Sequence, residues 1–302
     1  GEHAPMFRYT FDLPDAVASA TLRISGLGCF EAWSNGRRVG DHLLDPAQTD
    51  YERRFFYVEH DVTDRLGSGR NTLGAIVGDG WFNQNRVWPS IHPSYGEPRL
   101  LAMLAITLNN GEQTYVVSGS NWRCAPSPIT SSNLYAGETY DAQLKHPGWS
   151  AHDYDDLSWH EVKLIESPGG RLIAQPMPPM RAIEELHPVA ISEPESGVYI
   201  VDMGQNFSGW VRLRVAGEPG QTITMRFAES LDEQGNLDTA STGVFATGVE
   251  QIDRYTCRGG GIETWQPRFT YHGFRYAEVT GYPGRPTADD VVGVVEIGRA
   301  HV

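Results

Sequence analysis

Short β-type segments recur along the whole chain, and no segment carries a long helical repeat. Turn signals separate them, each an Asn or Gln beside a Gly, where a positive φ costs little. These turns stand at 35–36, 109–111 and 234–236. Many short strands at regular spacing predict an all-β fold of β-sandwiches or jelly rolls. The predicted strands are 20–24, 55–58, 72–77, 100–108, 114–117, 199–202, 210–215, 222–227, 251–257 and 274–279.

Length and charge narrow the class of protein further. The chain has 302 residues, of which 40% are hydrophobic and 21% are charged, as in a globular protein with room for two cores. Its formal net charge is −14, whereas nucleic-acid-binding proteins carry a basic surface. No run of about 18 apolar residues is present. We therefore predict no nucleic-acid partner and no membrane span.

The cysteines bear on redox state and location. Cys29, Cys124 and Cys257 are isolated, and no CxxC motif occurs. This pattern supports neither a disulfide framework nor a zinc site, so we predict buried, reduced thiols. Reduced thiols favour a cytoplasmic over a secreted protein. The chain begins at Gly1 rather than at Met, which leaves open whether a leader precedes it.

A change in composition predicts the domain boundary. The stretch 165–188 holds a pair of glycines and several prolines. Proline fixes φ and removes a hydrogen-bond donor, so this stretch is predicted to be an extended connector. We place a first domain at 1–165, a linker at 166–185 and a second domain at 186–296.

The first domain offers side chains suited to sugars. Aromatic rings stack on the C–H faces of sugars, and carboxylates and amides bind hydroxyl groups. Residues 79–95 interleave such residues without a strand pattern, which indicates a surface loop. The candidate ligand-binding residues are Asp79, Trp81, Asn83, Trp88, Asn133, Tyr135 and Glu138.

Several of these residues have a competing structural interpretation. Trp81 follows a Gly-Asp-Gly turn, so it is equally suited to a core or corner position. Glu138 and Asp141 could form a catalytic carboxyl pair, but on a strand they face opposite sides, and Glu138 shares its face with Tyr140. We therefore predict a structural or interdomain role for Glu138 rather than a catalytic pair with Asp141.

Residues across the chain resemble the β-domains of bacterial α-L-rhamnosidases, glycoside hydrolase family 78. In the first domain the resemblance lies in "YGEPRLLAMLAI" and "YAGETYDAQLKHPGW", after a pattern at 33–81 like that of carbohydrate-binding jelly rolls. In the second it lies in "YIVDMGQNFSGWVRLRV" and above all in "PRFTYHGFRYAEV". The resemblance implies two tandem β-sandwich domains of the jelly-roll or galactose-binding-like type.

The resemblance also carries functional expectations. In this family the general acid and the water-activating carboxylate lie in a downstream (α/α)6 domain, and hydrolysis inverts the anomeric centre. The resemblance therefore implies that this chain is the accessory part of an enzyme that releases terminal α-L-rhamnosyl residues, and that it contains no catalytic residue. Its expected partners are L-rhamnose or rhamnosylated glycans and a catalytic domain in cis. The alternative is a scaffold that binds no sugar.

A calcium site is a further expectation from the resemblance. Some members of the family carry a calcium-dependent rhamnose-binding module, in which oxygens from two loops hold the ion. Asp79 and Asn133 are the residues here that could supply such oxygens.

Two further stretches have mainly structural interpretations. "GQNFSGW" at 204–210 precedes an alternating strand and is predicted to be a sandwich corner, with Trp210 inward and Arg212 and Arg214 outward. His272, in the aromatic run before 279, is predicted to be a packing residue rather than a base.

The last residues, 297–302, "IGRAHV", back-translate to a sequence like that of a common sequencing adapter, so we expect them to be an artefact.

Overall fold

The computed structural model describes residues 3–84, 94–242 and 248–297. Within these ranges the chain is built of strands and short 3₁₀ turns, which confirms the predicted all-β fold. The 3₁₀ turns are Thr63–Arg65, Ala142–Leu144 and Thr239–Thr242. None of the described helical segments is long and apolar enough to cross a membrane.

Two sheets form the first sandwich. A six-stranded sheet has the order β12-β9-β1-β6-β3-β4, and a five-stranded sheet has the order β13-β5-β2-β7-β8. Alternate residues such as Leu22, Leu73 and Leu104 meet between the sheets and are at most 2% exposed. The strands are β1 (Pro5–Leu13), β2 (Val17–Leu27), β3 (Cys29–Ser34), β4 (Arg37–Arg38), β5 (Arg54–Asp61), β6 (Gly69–Gly78), β7 (Arg99–Leu108), β8 (Gln113–Val117), β9 (Arg123–Pro126), β12 (His160–Glu161) and β13 (Arg171–Ala174).

A larger sheet forms the second part of the molecule. Its main path is β10-β11-β20-β17-β22-β16-β23-β14, and β15 and β21 pair with β16. Its strands are β10 (Ile129–Asn133), β11 (Gly137–Asp141), β14 (Arg181–Leu186), β15 (Ala190–Glu195), β16 (Val198–Val215), β17 (Thr222–Ala228), β20 (Ile252–Thr256), β21 (Glu263–Trp265), β22 (His272–Thr280) and β23 (Val291–Ile297). A small hairpin adds β18 (Ser230–Leu231) and β19 (Leu237–Asp238).

Strand β16 bends at the predicted corner. It pairs with β15 before the bend and with β21 and β23 after it, and its pairing with β22 shifts register between Asp202 and Phe207. At Gly209, which pairs with Val295, a Cβ would lie 1.9 Å from the carbonyl oxygen of Val294. Only glycine allows this approach, because any side chain would overlap that oxygen.

The side chains after the bend follow the predicted alternation. Val211 and Leu213 are fully buried, whereas Arg212 is partly exposed and Arg214 is exposed. Trp210 is also buried, at 3% exposure. The corner interpretation of this stretch therefore agrees with the structure.

The two parts of the molecule interlock through their strands. β10 and β11 lie within the predicted first domain, yet they belong to the sheet of the second, where β11 runs parallel to β20. β6 is buried on both faces: Leu73 points into the first sandwich, and Gly78 contacts the ring of Phe269 from the second. Burial on two faces means that the parts support each other's cores.

The predicted connector crosses between sheets. Residues 162–170 carry no regular secondary structure and lead from β12, at the edge of the six-stranded sheet, to β13, at the edge of the five-stranded sheet. The predicted linker 166–185 thus contributes β13 and part of β14 as edge strands.

Candidate functional site

A cleft of about 1050 Å³ opens in the first sandwich. Its walls come from the start of β1, the end of β2 and the start of β7, and residues 162–168 run along it. Two predicted ligand-binding residues, Asp79 and Asn83, line it. The lining is predominantly apolar, with polar groups at the Asp79 edge, which is the usual composition of a site for a small organic ligand.

The polar edge is held by a short chain of hydrogen bonds. The Asn83 amide nitrogen donates to Asp79 Oδ1 at 2.9 Å, and the backbone N–H of Asp79 donates to Ser132 Oγ at 3.1 Å. Asn83 Oδ1 accepts from the Ser94 hydroxyl at 2.6 Å. Because Asn83 is 9% exposed and bonded on both sides, its amide is fixed in orientation.

Trp81 and Tyr135 lie at the junction of the two sandwiches. Both are partly buried, and their rings meet edge to face with centroids 5.7 Å apart. Tyr135 also contacts Tyr271, at 6.4 Å between ring centroids. The competing core interpretation of Trp81 is therefore the one that its packing supports.

Asn133 is used internally as a turn-forming residue. It is fully buried, and its Oδ1 accepts from the backbone N–H groups of Tyr135 and Ala136, each at 3.0 Å. Its Nδ2 donates to Gln84 Oε1 at 3.3 Å. These two hydrogen bonds use the same amide oxygen that the calcium expectation assigns to the ion.

Nothing else in the described part of the chain supplies a metal site. No group of three His, Cys, Asp or Glu side chains converges there in a way that could hold an ion. Calcium binding through Asp79 and Asn133 stays a prediction.

Glu138 is the most strongly perturbed acid near the junction. Its carboxylate is fully buried, and Oε2 accepts from the backbone N–H groups of Arg268 and Phe269, each at 3.1 Å. Oε1 has no hydrogen-bond partner among the described residues. Burial raises the pKa of Glu138 to about 8, and this outweighs the lowering by Arg268. A carboxyl group sealed from solvent cannot reach a glycosidic bond, which favours the predicted interdomain role.

Two charged groups that sequence reasoning missed complete the junction. The Arg268 guanidinium pairs with Glu31 of the first sandwich and lies 5.4 Å from the centre of the Trp33 ring. Asp253 accepts from the backbone N–H of Glu138 at 2.8 Å and lies 3.1 Å from His272 Nε2. These partners lie more than a hundred residues apart or on different strands, so no local pattern could reveal them.

His272 behaves as the predicted packing residue. It is 1% exposed, and its ring stacks on Phe227 with centroids 4.4 Å apart. The acid beside it, Asp253, comes from β20, which explains why no acid at matching spacing is visible in the sequence.

The structure thus divides the predicted ligand-binding residues into two groups. Asp79 and Asn83 line the cleft, whereas Trp81, Asn133, Tyr135 and Glu138 hold the junction. Trp88 lies outside the described residues, as do residues 298–302.

Two interlocked β-sandwiches with a cleft in the first define a tandem β-sandwich protein. Comparison with protein families identifies both parts. Residues 15–184 match the α-L-rhamnosidase N-terminal domain, and residues 192–296 match the bacterial α-L-rhamnosidase concanavalin-like domain. The chain therefore belongs to the α-L-rhamnosidase family.

Similar proteins extend well beyond this chain. An α-L-rhamnosidase of Streptomyces avermitilis is 42% identical over 97% of this chain, which spans 28% of that protein. One from Formosa agariphila is 37% identical over 98% of this chain, which spans 32% of it. The chain thus spans about a third of the length of these curated relatives.

Solved structures show the same relation. The Streptomyces avermitilis α-L-rhamnosidase complexed with L-rhamnose has a TM-score of 0.93 at 41% identity, over 98% of this chain and 29% of that chain. The α-L-rhamnosidase from Dictyoglomus thermophilum has a TM-score of 0.90 at 37% identity, over 97% of this chain and 32% of that chain.

Proposed function

We propose that this chain forms the non-catalytic β-sandwich part of an α-L-rhamnosidase that hydrolyses terminal α-L-rhamnosyl residues. The match of both parts to consecutive domains of this family carries the proposal. The seclusion of Glu138 supports it, because a general acid must reach the glycosidic oxygen.

We further propose that the cleft holds carbohydrate and that the molecule supports a catalytic domain in cis. Asp79 and Asn83 place a carboxylate and an amide at the edge of the cleft, and such groups bind sugar hydroxyls. The partners of the whole protein are then L-rhamnose or rhamnosylated glycans.

A calorimetric titration with L-rhamnose, once with calcium and once with EDTA, tests sugar binding. Heat in either buffer supports the proposal, and heat only with calcium supports an ion in the site. Asp79→Ala is expected to weaken binding at least tenfold, because removal of one charged hydrogen-bonding partner costs about 1.5–3 kcal/mol. Asp153→Ala is the matched control, since Asp153 is exposed and does not line the cleft.

Hydrolysis is tested separately with 4-nitrophenyl α-L-rhamnopyranoside. The chain by itself is expected to release no nitrophenolate above the buffer rate. Turnover that survives repeated purification would contradict the non-catalytic role, and its loss in Glu138→Gln would assign the activity to that carboxyl group.

A pure scaffold is the second candidate function. It is favoured by the internal hydrogen bonds of Asn133 and Glu138, which occupy the very groups expected to bind ligand. A protein shown to be folded that gives no heat with L-rhamnose in either buffer would support this alternative.

A further inference from the structure

The cleft carries a chemical feature that a sugar site alone does not use. Its interior is dominated by apolar side chains from both sheets and from the turn between β8 and β9: Phe7, Leu27, Phe55, Leu100, Trp122 and Leu172. The hydroxyl groups of one sugar ring need polar partners, which the Asp79 edge of the cleft offers and the apolar wall does not. The wall therefore suits an apolar body.

Arg99 places a cation beside this apolar wall. It begins β7, lines the cleft and is partly buried. Its Nε is buried without a hydrogen-bond partner, and the described residues form no ion pair with its guanidinium. A buried guanidinium N–H without a partner is costly, and a carboxylate is the group that best matches the parallel donors of a guanidinium.

The cleft holds other charged groups, and none of them forms an ion pair with Arg99 among the described residues. Glu97 and Glu166 line the cleft but are exposed, where water screens them. Asp79 accepts from the Asn83 amide. Lys163, also exposed, adds a second positive charge on the connector side.

The connector contributes two apolar side chains that remain largely exposed to solvent. Leu164 and Ile165 line the cleft, yet they are 65% and 57% exposed. Residues 162–170 join the edges of the two sheets across this region. A ligand in the cleft would bury these two side chains, and burial of apolar surface is favourable.

We propose that the cleft binds an amphipathic acid, with an apolar body against the Trp122 wall and a carboxylate on Arg99. This inference extends the proposed function: the sugar-binding cleft would accept a rhamnosyl glycoside whose non-sugar part is an apolar acid. Charge complementarity to Arg99 selects the acid over a neutral apolar ligand of the same shape.

A matched pair of probes tests the proposal on the whole chain. Biphenyl-4-carboxylate and biphenyl-4-carboxamide have nearly the same shape and differ in charge. We expect calorimetry to show that the carboxylate binds roughly tenfold or more tightly than the carboxamide, in line with about 1.5–3 kcal/mol for a charged hydrogen bond.

Two variants and one control assign the binding to the cleft. Arg99→Met should abolish the preference for the acid, whereas Arg254→Met, at an exposed position on β20, should preserve it. Leu164→Asp should weaken both probes, and its exposed position spares the fold. In the wild type, the carboxylate should also slow cleavage after Lys163 by a lysine-specific protease.

Three outcomes would overturn the proposal: neither probe binds, the carboxamide binds as tightly as the acid, or Arg99→Met keeps the preference. Neither probe contains a sugar, so these results are separate from the L-rhamnose titration. A chain that binds the acid but no rhamnose would keep this inference and remove the sugar-binding proposal.

Discussion

At the scale of single residues, Glu138 shows how one side chain joins two domains. Its carboxylate comes from β11 of the first predicted domain and accepts from the backbone of Arg268 and Phe269 in the second. Arg268 in turn forms an ion pair with Glu31 of the first sandwich. Burial favours the neutral form of Glu138. Ionisation of its buried carboxyl group therefore destabilises the folded chain.

The pH dependence of stability follows from this proton. The pKa of Glu138 is about 8 in the folded chain and near 4.5 in the unfolded chain, so the folded state binds more protons between these values. The contribution of Glu138 to the free energy of unfolding is fully present below pH 4.5 and is lost as the pH rises towards 8. We expect the free energy of unfolding to fall by about 2–4 kcal/mol between pH 5 and 8.

Glu138→Gln should remove this contribution. Urea unfolding at pH 5 to 8 should show nearly equal stability for variant and wild type at pH 5, and a more stable variant at pH 8. Glu112→Gln, at an exposed position, is the control. Parallel curves for wild type and Glu138→Gln would show that Glu138 is ionised throughout.

At the scale of elements, glycines set how closely strands and domains approach. A Cβ on Gly78 of β6 would lie 2.4 Å from the ring of Phe269, and a Cβ on Gly74 would lie 2.6 Å from the ring of Trp149. Strand β6 can be covered on both faces only because these positions lack a side chain. The contact therefore depends on sequence positions that a hydrophobic pattern does not mark.

Gly78→Ala is expected to destabilise the chain by about 1–3 kcal/mol through overpacking against Phe269. Gly67→Ala is the matched control, because a Cβ there meets nothing within 4 Å, and it should change stability by about 0.5 kcal/mol at most. Chemical denaturation measures both. Combining Gly78→Ala with Phe269→Leu should cost less than the sum of the single changes, since both act on one contact. If the effects of the two changes are additive, the destabilisation by Gly78→Ala does not arise from its contact with Phe269.

At the scale of the whole molecule, the two sandwiches form one interlocked structure. β10 and β11 leave the first part of the chain to join the second sheet, and residues from both parts share a continuous core. Separation would expose that core and break the parallel pairing with β20. Such an arrangement favours cooperative behaviour over independent domain motion.

The two lysines of the chain allow a direct test. Lys145 is partly buried, with its ammonium 5.7 Å from the centre of the Tyr140 ring, whereas Lys163 is exposed in the connector. A lysine-specific protease should cut the native chain after Lys163. The two pieces should then elute together in size-exclusion chromatography and separate only in denaturant. Lys163→Arg should stay intact, and pieces that separate without denaturant would contradict the interlock.

Local patterns predicted much of the fold. The sequence predicts strands such as β2, β7 and β17 because their consecutive residues alternate between buried and more exposed positions. The corner before Trp210 was predictable for the same reason, since a turn needs glycine at particular positions. β10 and β11, rich in Ser, Asn, Gly and Thr, were missed, because their burial depends on β20 more than a hundred residues away.

The candidate site was less accessible to sequence. Aromatic and amide residues between 79 and 138 were grouped by type, and the fold placed Asp79 and Asn83 at a cleft but Asn133 and Glu138 in a junction. No sequence pattern marks Arg99 as a site residue, because nothing in the sequence around it distinguishes it from a solvent-exposed arginine.

Sequence alone determined the class of fold, the corner in β16 and the family resemblance, since these depend on residues close together in the chain. Only the tertiary structure decided which polar groups line the cleft and which are used in hydrogen bonds within the junction. A hydrogen bond or an ion pair needs two partners, and here the partners of Glu138, Arg268 and Asp253 come from distant strands. Burial, which sets the protonation of Glu138, is likewise a property of the assembled sheets.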